Sequence, residues 1–223
     1  MRYDDWHSNY NKVYVCKIFP AAWQQFSIRS EWKGTSLGGP YPAVIDRDEE
    51  TSEHVRNDTN DRWFNNPQFR LSVSKKTQIY ISLMQEDEKI SKKSYAPVNF
   101  LVVRSRARRE RLWEVDKDDI VMEAADGIQR FPQREVTKTA WLLPIHEKKN
   151  VHYFIVPNLE TDAKKDEERK FILRIFTSES IDLVSMPRTI EKTFSGKWTP
   201  QTAGGRRVND NGQDNQFWCR NPQ

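Results

Sequence analysis

A pattern that occurs twice constrains this chain more than any other feature. Trp32 is followed, after five residues, by the pair Gly38-Gly39, and Trp63 precedes Asn66-Pro67-Gln68 by two residues. Trp198, Gly204-Gly205, Trp218 and Asn221-Pro222-Gln223 repeat the order and the spacing. Self-similarity of this kind bounds the architecture before any finer reading. Copies this far apart point to a duplicated domain, not to a solenoid unit. The second copy stops at Gln223, so the second domain is expected to be cut short there. The first copy is longer between its glycines and its second tryptophan. Part of the polar, acidic stretch Ala43–Asp61 therefore reads as a loop insertion, which adds little closure entropy. Trp32, Gly38, Gly39, Trp63, Asn66 and Pro67 are read as structural. The glycines permit a tight backbone path, and the tryptophans fill a core between sheets.

Between the copies, short runs rich in β-branched and aromatic residues alternate with turn residues. Strands are expected at Lys12–Phe19, ended by Pro20, and around Phe26–Arg29. Others follow at Gln68–Val73, Gln78–Met84, Val98–Val103, Asp119–Glu123, Val136–Leu143, Val151–Val156 and Lys170–Phe176, with Ile181–Val184 as a possible edge. EDEKISKK, after Met84, reads as a charged turn. No apolar pattern sustains a 3.6-residue period. The expected fold is all-β, an antiparallel β-sandwich of about eight strands. The length implies one or two domains.

Charge excludes some functions. The 36 basic and 32 acidic residues interleave to a net charge of +4, which does not supply the one-signed patch that nucleic acid requires. The amino-terminal stretch has no apolar core of a signal peptide, and no run approaches the ~18 apolar residues of a membrane span. Cys16 and Cys219 are the only cysteines, which fits a reducing, cytoplasmic setting rather than a disulfide framework.

Two kinds of charged cluster are candidates for binding. Arg104, Arg106, Arg108, Arg109 and Arg111 could form a basic patch for phosphate, a lipid headgroup or an acidic partner; the bland alternative is a solvated loop. Acidic groups occur at Asp46, Asp48, Glu49 and Glu50, at Glu86, Asp87 and Glu88, at Asp116, Asp118 and Asp119, and at Glu160, Asp162, Asp166, Glu167 and Glu168. Calcium requires about six to eight oxygens, which loops at one end of a sandwich can provide, and Glu86, Asp87, Glu88, Asp116, Asp118 and Asp119 are the candidate calcium ligands. None has the spacing of a helix-loop-helix calcium site. His7, His54, His146 and His152 lack ligand spacing and are read as structural or surface residues. Cys16, inside a β-branched run, is read as a small buried hydrophobe.

These motifs resemble the calpain family. DDWHSNYNKVYVCKIFPAAW resembles the segment that closes the calpain protease core, and the repeated Trp/Gly-Gly/Trp/Asn-Pro-Gln pattern resembles the opening of the β-sandwich domain after it. QIYISLMQEDEK and VHYFIVPN…EERKFILRIF resemble later strands of that domain. The similarity runs in order from about Asp4 to Met186 and resumes at Trp198–Gln223. It implies three regions: 1–18, the tail of a protease core; 19–186, a calpain-type sandwich; and 187–223, a linker and the start of a second sandwich. Tandem sandwiches of this kind replace the calcium-binding helical domain in PalB-like and protist calpains.

The resemblance also implies a function. The sandwich in that family is non-catalytic, docks on the protease core and couples calcium, phospholipid or a protein partner to it. The family's catalytic Cys, His and Asn precede the region matched here, so Cys16 and His7 do not inherit those roles. A thiol without base and orienter is not activated, and the chain alone is expected to be inactive and to require no cofactor. The alternatives are a stand-alone interaction module from a calpain that lost its protease, and a membrane-binding sandwich using Arg104–Arg111.

Overall fold

The computed structural model describes residues 2–9, 16–41, 62–105, 111–113, 115, 117–124, 131–144, 152–159, 168–190 and 195–197. The second motif copy, 198–223, and the insertion 42–61 lie outside the described residues. The chain divides into two compact units, Met1–Thr189 and Ile190–Gln223, and the described strands all lie in the first.

Alternation builds the sheets. In β3 (Thr77–Gln85) Ile79, Ile81 and Leu83 are fully buried on one face. In β8 (Arg169–Thr177) Phe171, Leu173 and Ile175 do the same. These strands pair antiparallel, Ile81 opposite Ile175 and Leu83 opposite Leu173. β1 (Gln24–Trp32) and β6 (Glu135–Leu142) flank them, giving the order β1-β8-β3-β6.

The second sheet has the order β5-β4-β7-β2-β9. Its strands are β2 (Phe69–Val73), β4 (Val98–Ser105), β5 (Ile120–Glu123), β7 (His152–Leu159) and β9 (Ile181–Ser185). β4 and β7 are the central pair, and both are buried almost throughout. Phe100, Val102, Tyr153 and Ile155 face the other sheet in the main core. Leu101, Val103, Phe154 and Val156 point the opposite way, into a second cluster with Trp63, Leu112 and Met186. Such continuous apolar runs are what burial on both faces demands.

The fold is thus an antiparallel sandwich of a four-stranded and a five-stranded sheet. Nine strands stand among the described residues, where about eight were expected. The strand expected at Lys12–Phe19 is a correction. Residues 12–15 lie outside the described residues, Cys16–Phe19 form no strand, and the first strand among the described residues is Gln24–Trp32. Pro20 begins a turn closed by Trp23 N–H donating to the Pro20 carbonyl at 2.9 Å. The residues before that turn lie across the sheet through their side chains. Cys16 is exposed, not buried. The charged turn after Met84 contains a short helix, α2 (Glu88–Ser91), capped by the Asp87 side chain accepting from Lys89 N–H. A further short helix, α1, spans Tyr3–Asn9 and carries exposed His7.

Candidate functional site

The described copy of the motif forms one hydrogen-bonded framework. Trp32, at the end of β1, is fully buried against Phe171, with ring centroids 4.3 Å apart, and its indole donates to the Pro157 carbonyl of β7 at 3.1 Å. It thereby ties the two sheets. Beyond it the backbone passes so close to Asn66 that a Cβ on Gly38 would stand 2.5 Å from the Arg62 carbonyl oxygen. Gly39 has a φ of 74°, a region that favours glycine.

Fully buried Asn66 donates to the carbonyls of Gly39 (2.8 Å) and Trp63 (2.7 Å), and its amide oxygen accepts from Gly38 N–H at 3.2 Å. Two residues on, Gln68 donates to Phe64 and Leu112 carbonyls and accepts from Leu112 N–H. Half-buried Pro67 separates these two amides. Trp63 meets Tyr41 edge-on and caps the outer face of the five-stranded sheet. Buried loop carbonyls need donors, and two side-chain amides and a guanidinium provide them here.

The outer face of the four-stranded sheet has two halves. At one end Phe19 stacks on Phe176 with centroids 3.9 Å apart, Tyr80 lies 5.1 Å away, and Lys17 sits over Tyr80 at 4.2 Å. Lys17 also reaches Thr139 of β6, so residues 17–23 cross the sheet from β6 towards β1. At the other end lies an open cleft of about 680 Å³, floored by Met84 and Ile172 and rimmed by Arg29, Ile90 and Arg188. Arg29, Ile172 and Met84 occupy one register row, and Ser27, Arg174 and Ser82 the next. Among the described residues neither Arg29 nor Arg174 has a carboxylate partner.

Three of the described acidic candidates, Asp87, Glu88 and Asp119, are committed to the protein. Asp87 caps α2 through one oxygen and lies 3.5 Å from Arg134 through the other. Glu88 accepts from Tyr95 N–H at 2.7 Å, and Asp119 pairs with Arg104 at 3.3 Å. Exposed Asp118 lies in the short helical turn Lys117–Asp119, and half-buried Glu86 lines the cleft. Among the described residues no three His, Cys, Asp or Glu side chains gather to hold a metal ion. Asp87, Glu88 and Asp119 already spend oxygens on these contacts, whereas calcium requires about six to eight. Asp116 and the clusters at 46–50 and 160–167 lie outside the described residues, while Glu168 bonds Lys33 at 2.8 Å, which lowers its own pKa and raises that of the lysine.

Residues 52–176 match the family described as calpain large subunit, domain III. The chain belongs to the calpain domain III family. Its curated relatives include the calpain-type cysteine protease ADL1 of Oryza sativa subsp. japonica and the calpain-type cysteine protease DEK1 of Zea mays, each 24% identical over 196 residues and 82% of this chain. The matched region is 8% of the length of either relative. Among solved structures, a chain of Sacbrood virus of honeybee aligns over 89% of this chain and 97% of its own, at 10% identity and a TM-score of 0.30. That likeness is too slight to carry an argument.

Within this domain III the basic run divides. Arg106, Arg108 and Arg109 lie outside the described residues. Arg104 is half-buried and faces Asp119. Arg111 is 7% exposed, and its guanidinium donates to the carbonyls of Pro187 (2.6 Å), Phe64 (2.7 Å) and Asn66 (2.8 Å). Burial lowers its pKa to about 10. Arg111 therefore clasps two segments, residues 64–66 and Pro187, to its own and is corrected out of the surface patch. His54 and His146 lie outside the described residues. His152 accepts from or donates to Ser72 across 2.9 Å, with its pKa lowered by burial and Arg70 and raised by Asp182. Sequence reasoning missed Arg29, Met84, Ile172 and Arg174. Their signal was available: they fall on the positions of β1, β3 and β8 out of phase with the core residues.

Proposed function

We propose that the chain is the regulatory docking region of a calpain-type cysteine endopeptidase. The observation that carries this reading is the domain III match over residues 52–176, set in a sandwich whose polar framework is spent on holding loops together. On this reading the chain performs no bond chemistry of its own. It packs on a protease core and couples calcium, phospholipid or a protein partner to it. Cys16 is exposed in coil, and His152 is bonded to Ser72 of the neighbouring strand. A cysteine nucleophile requires a base within hydrogen-bond reach.

Because Asp87, Glu88 and Asp119 are already bonded within the protein, no calcium step is placed on them. The test is calorimetric titration of the purified chain with Ca²⁺, with and without anionic vesicles, alongside binding to a calpain-type protease core. Saturable binding of the core supports docking, and heat in either titration adds the corresponding coupling. Cleavage of a calpain substrate by the purified chain alone, or no association with the core, overturns the reading.

A further inference from the structure

We infer that the outer face of the four-stranded sheet is the surface on which the preceding protease core docks. This rests on the function proposed above and specifies where that contact is made.

Three observations converge on this face and not on its counterpart. First, the chain entering the sandwich is laid on it. Lys17 reaches β6, Phe19 stacks on Phe176 of β8, and the Pro20–Trp23 turn delivers the chain to β1. Residues 17–23 thus enter the sandwich across this side. Second, the rest of the face holds an open cleft among the described residues and is apolar at its centre. Met84 and Ile172 floor the cleft, and Ile90 stands 70% exposed at its rim. The outer face of the five-stranded sheet, by contrast, is already closed by Trp63, Leu112 and Met186.

Third, the charges select a partner. Arg29 and Arg174 stand on adjacent strands beside that floor with no carboxylate among the described residues to neutralise them, whereas Asp87 and Glu31 at the rim are paired with Arg134 and Arg188. An apolar floor flanked by guanidiniums that have no carboxylate partner among the described residues fits a protein surface carrying carboxylates around an apolar knob. Arginine is the cation that interfaces favour, through bidentate pairing.

The test is hydroxyl-radical footprinting of the complete polypeptide that carries the core, compared with the 223-residue chain alone. Met84 reports directly, because its thioether oxidises readily when wet. Its labelling is expected to fall by roughly threefold or more in the complete polypeptide, as for a side chain moved from surface into an interface. The double variant Arg29→Glu, Arg174→Glu is expected to restore that labelling in the complete polypeptide while leaving the melting temperature of the isolated chain unchanged. If charge reversal lowers that melting temperature, Arg29→Gln with Arg174→Gln replaces it, and the same recovery is required. Protection confined to another surface, such as that around Trp113, overturns this inference and leaves the docking function standing. Labelling unchanged everywhere overturns both.

Discussion

Asn66 and Gly38 show how much of this domain depends on single atoms. The Asn66 amide serves three backbone groups inside the protein, and replacing it with alanine leaves all three without that partner. Orphaned buried polar groups are costly, so Asn66→Ala is expected to destabilise the domain by about 2–4 kcal/mol in urea unfolding. Gly38→Ala is expected to cost at least as much. Its methyl would press on the Arg62 carbonyl oxygen, the Asn66 backbone nitrogen and the Asn66 side-chain amide, which three hydrogen bonds hold in place. His152 makes a different prediction, about pH. Its folded pKa lies below the ordinary value, so the unfolded chain binds the proton more readily. Stability from this group is complete above the ordinary histidine pKa of roughly 6.5 and is lost as pH falls below it towards the depressed folded value. The wild-type melting temperature should therefore drop more between pH 7 and pH 5 than that of His152→Gln, and equal slopes would refute the assignment.

At the scale of elements, most strands were legible because their residues alternate. QIYISLM and KFILRIF put every second residue in the core, and the structure extends each by only a residue or two. VNFLVV and VHYFIV were legible for the opposite reason, since a continuous apolar run implies burial on both faces. Over its described part, Cys16–Phe19, the run misled because apolar composition signals contact without saying whether the backbone pairs. Phe19 makes that contact through its ring while its backbone remains outside the sheet. The same limit hid Arg111, because a run of arginines looks solvated whichever member turns inward. The entering segment itself is testable. Phe19→Ala removes the stack on Phe176 and is expected to cost about 1–2 kcal/mol. Ile18→Ala, one residue away at 89% exposure, should fall within about 0.5 kcal/mol of wild type. Equal effects would mean that the segment does not hold the sheet through its aromatic ring.

For the whole molecule the question is where the sandwich ends, and the hydrogen bonds answer it more finely than the strands do. The last strand stops at Ser185, and sequence motifs close the domain near Met186. Three contacts beyond that point belong to the sandwich. The Pro187 carbonyl accepts from Arg111, Arg188 lies 3.4 Å from Glu31, and the Thr189 carbonyl accepts from Thr35 at 3.1 Å. Removing residues 187–189 leaves a buried guanidinium with one acceptor fewer. A buried cation that loses a partner costs more than the same group at the surface. The compact unit accordingly closes at Thr189. A chain ending at Thr189 is expected to keep the unfolding midpoint of this sandwich. A chain ending at Met186 should lose about 2–3 kcal/mol, most of it through Arg111 and little through the half-exposed Arg188 pair. Arg111→Lys in the longer chain separates these terms: an ammonium cannot span three carbonyls held for a planar fork. If the clasp sets the boundary, that substitution should reproduce most of the loss on its own. Truncation at Met186 should then add little to it, because both changes remove the same contact.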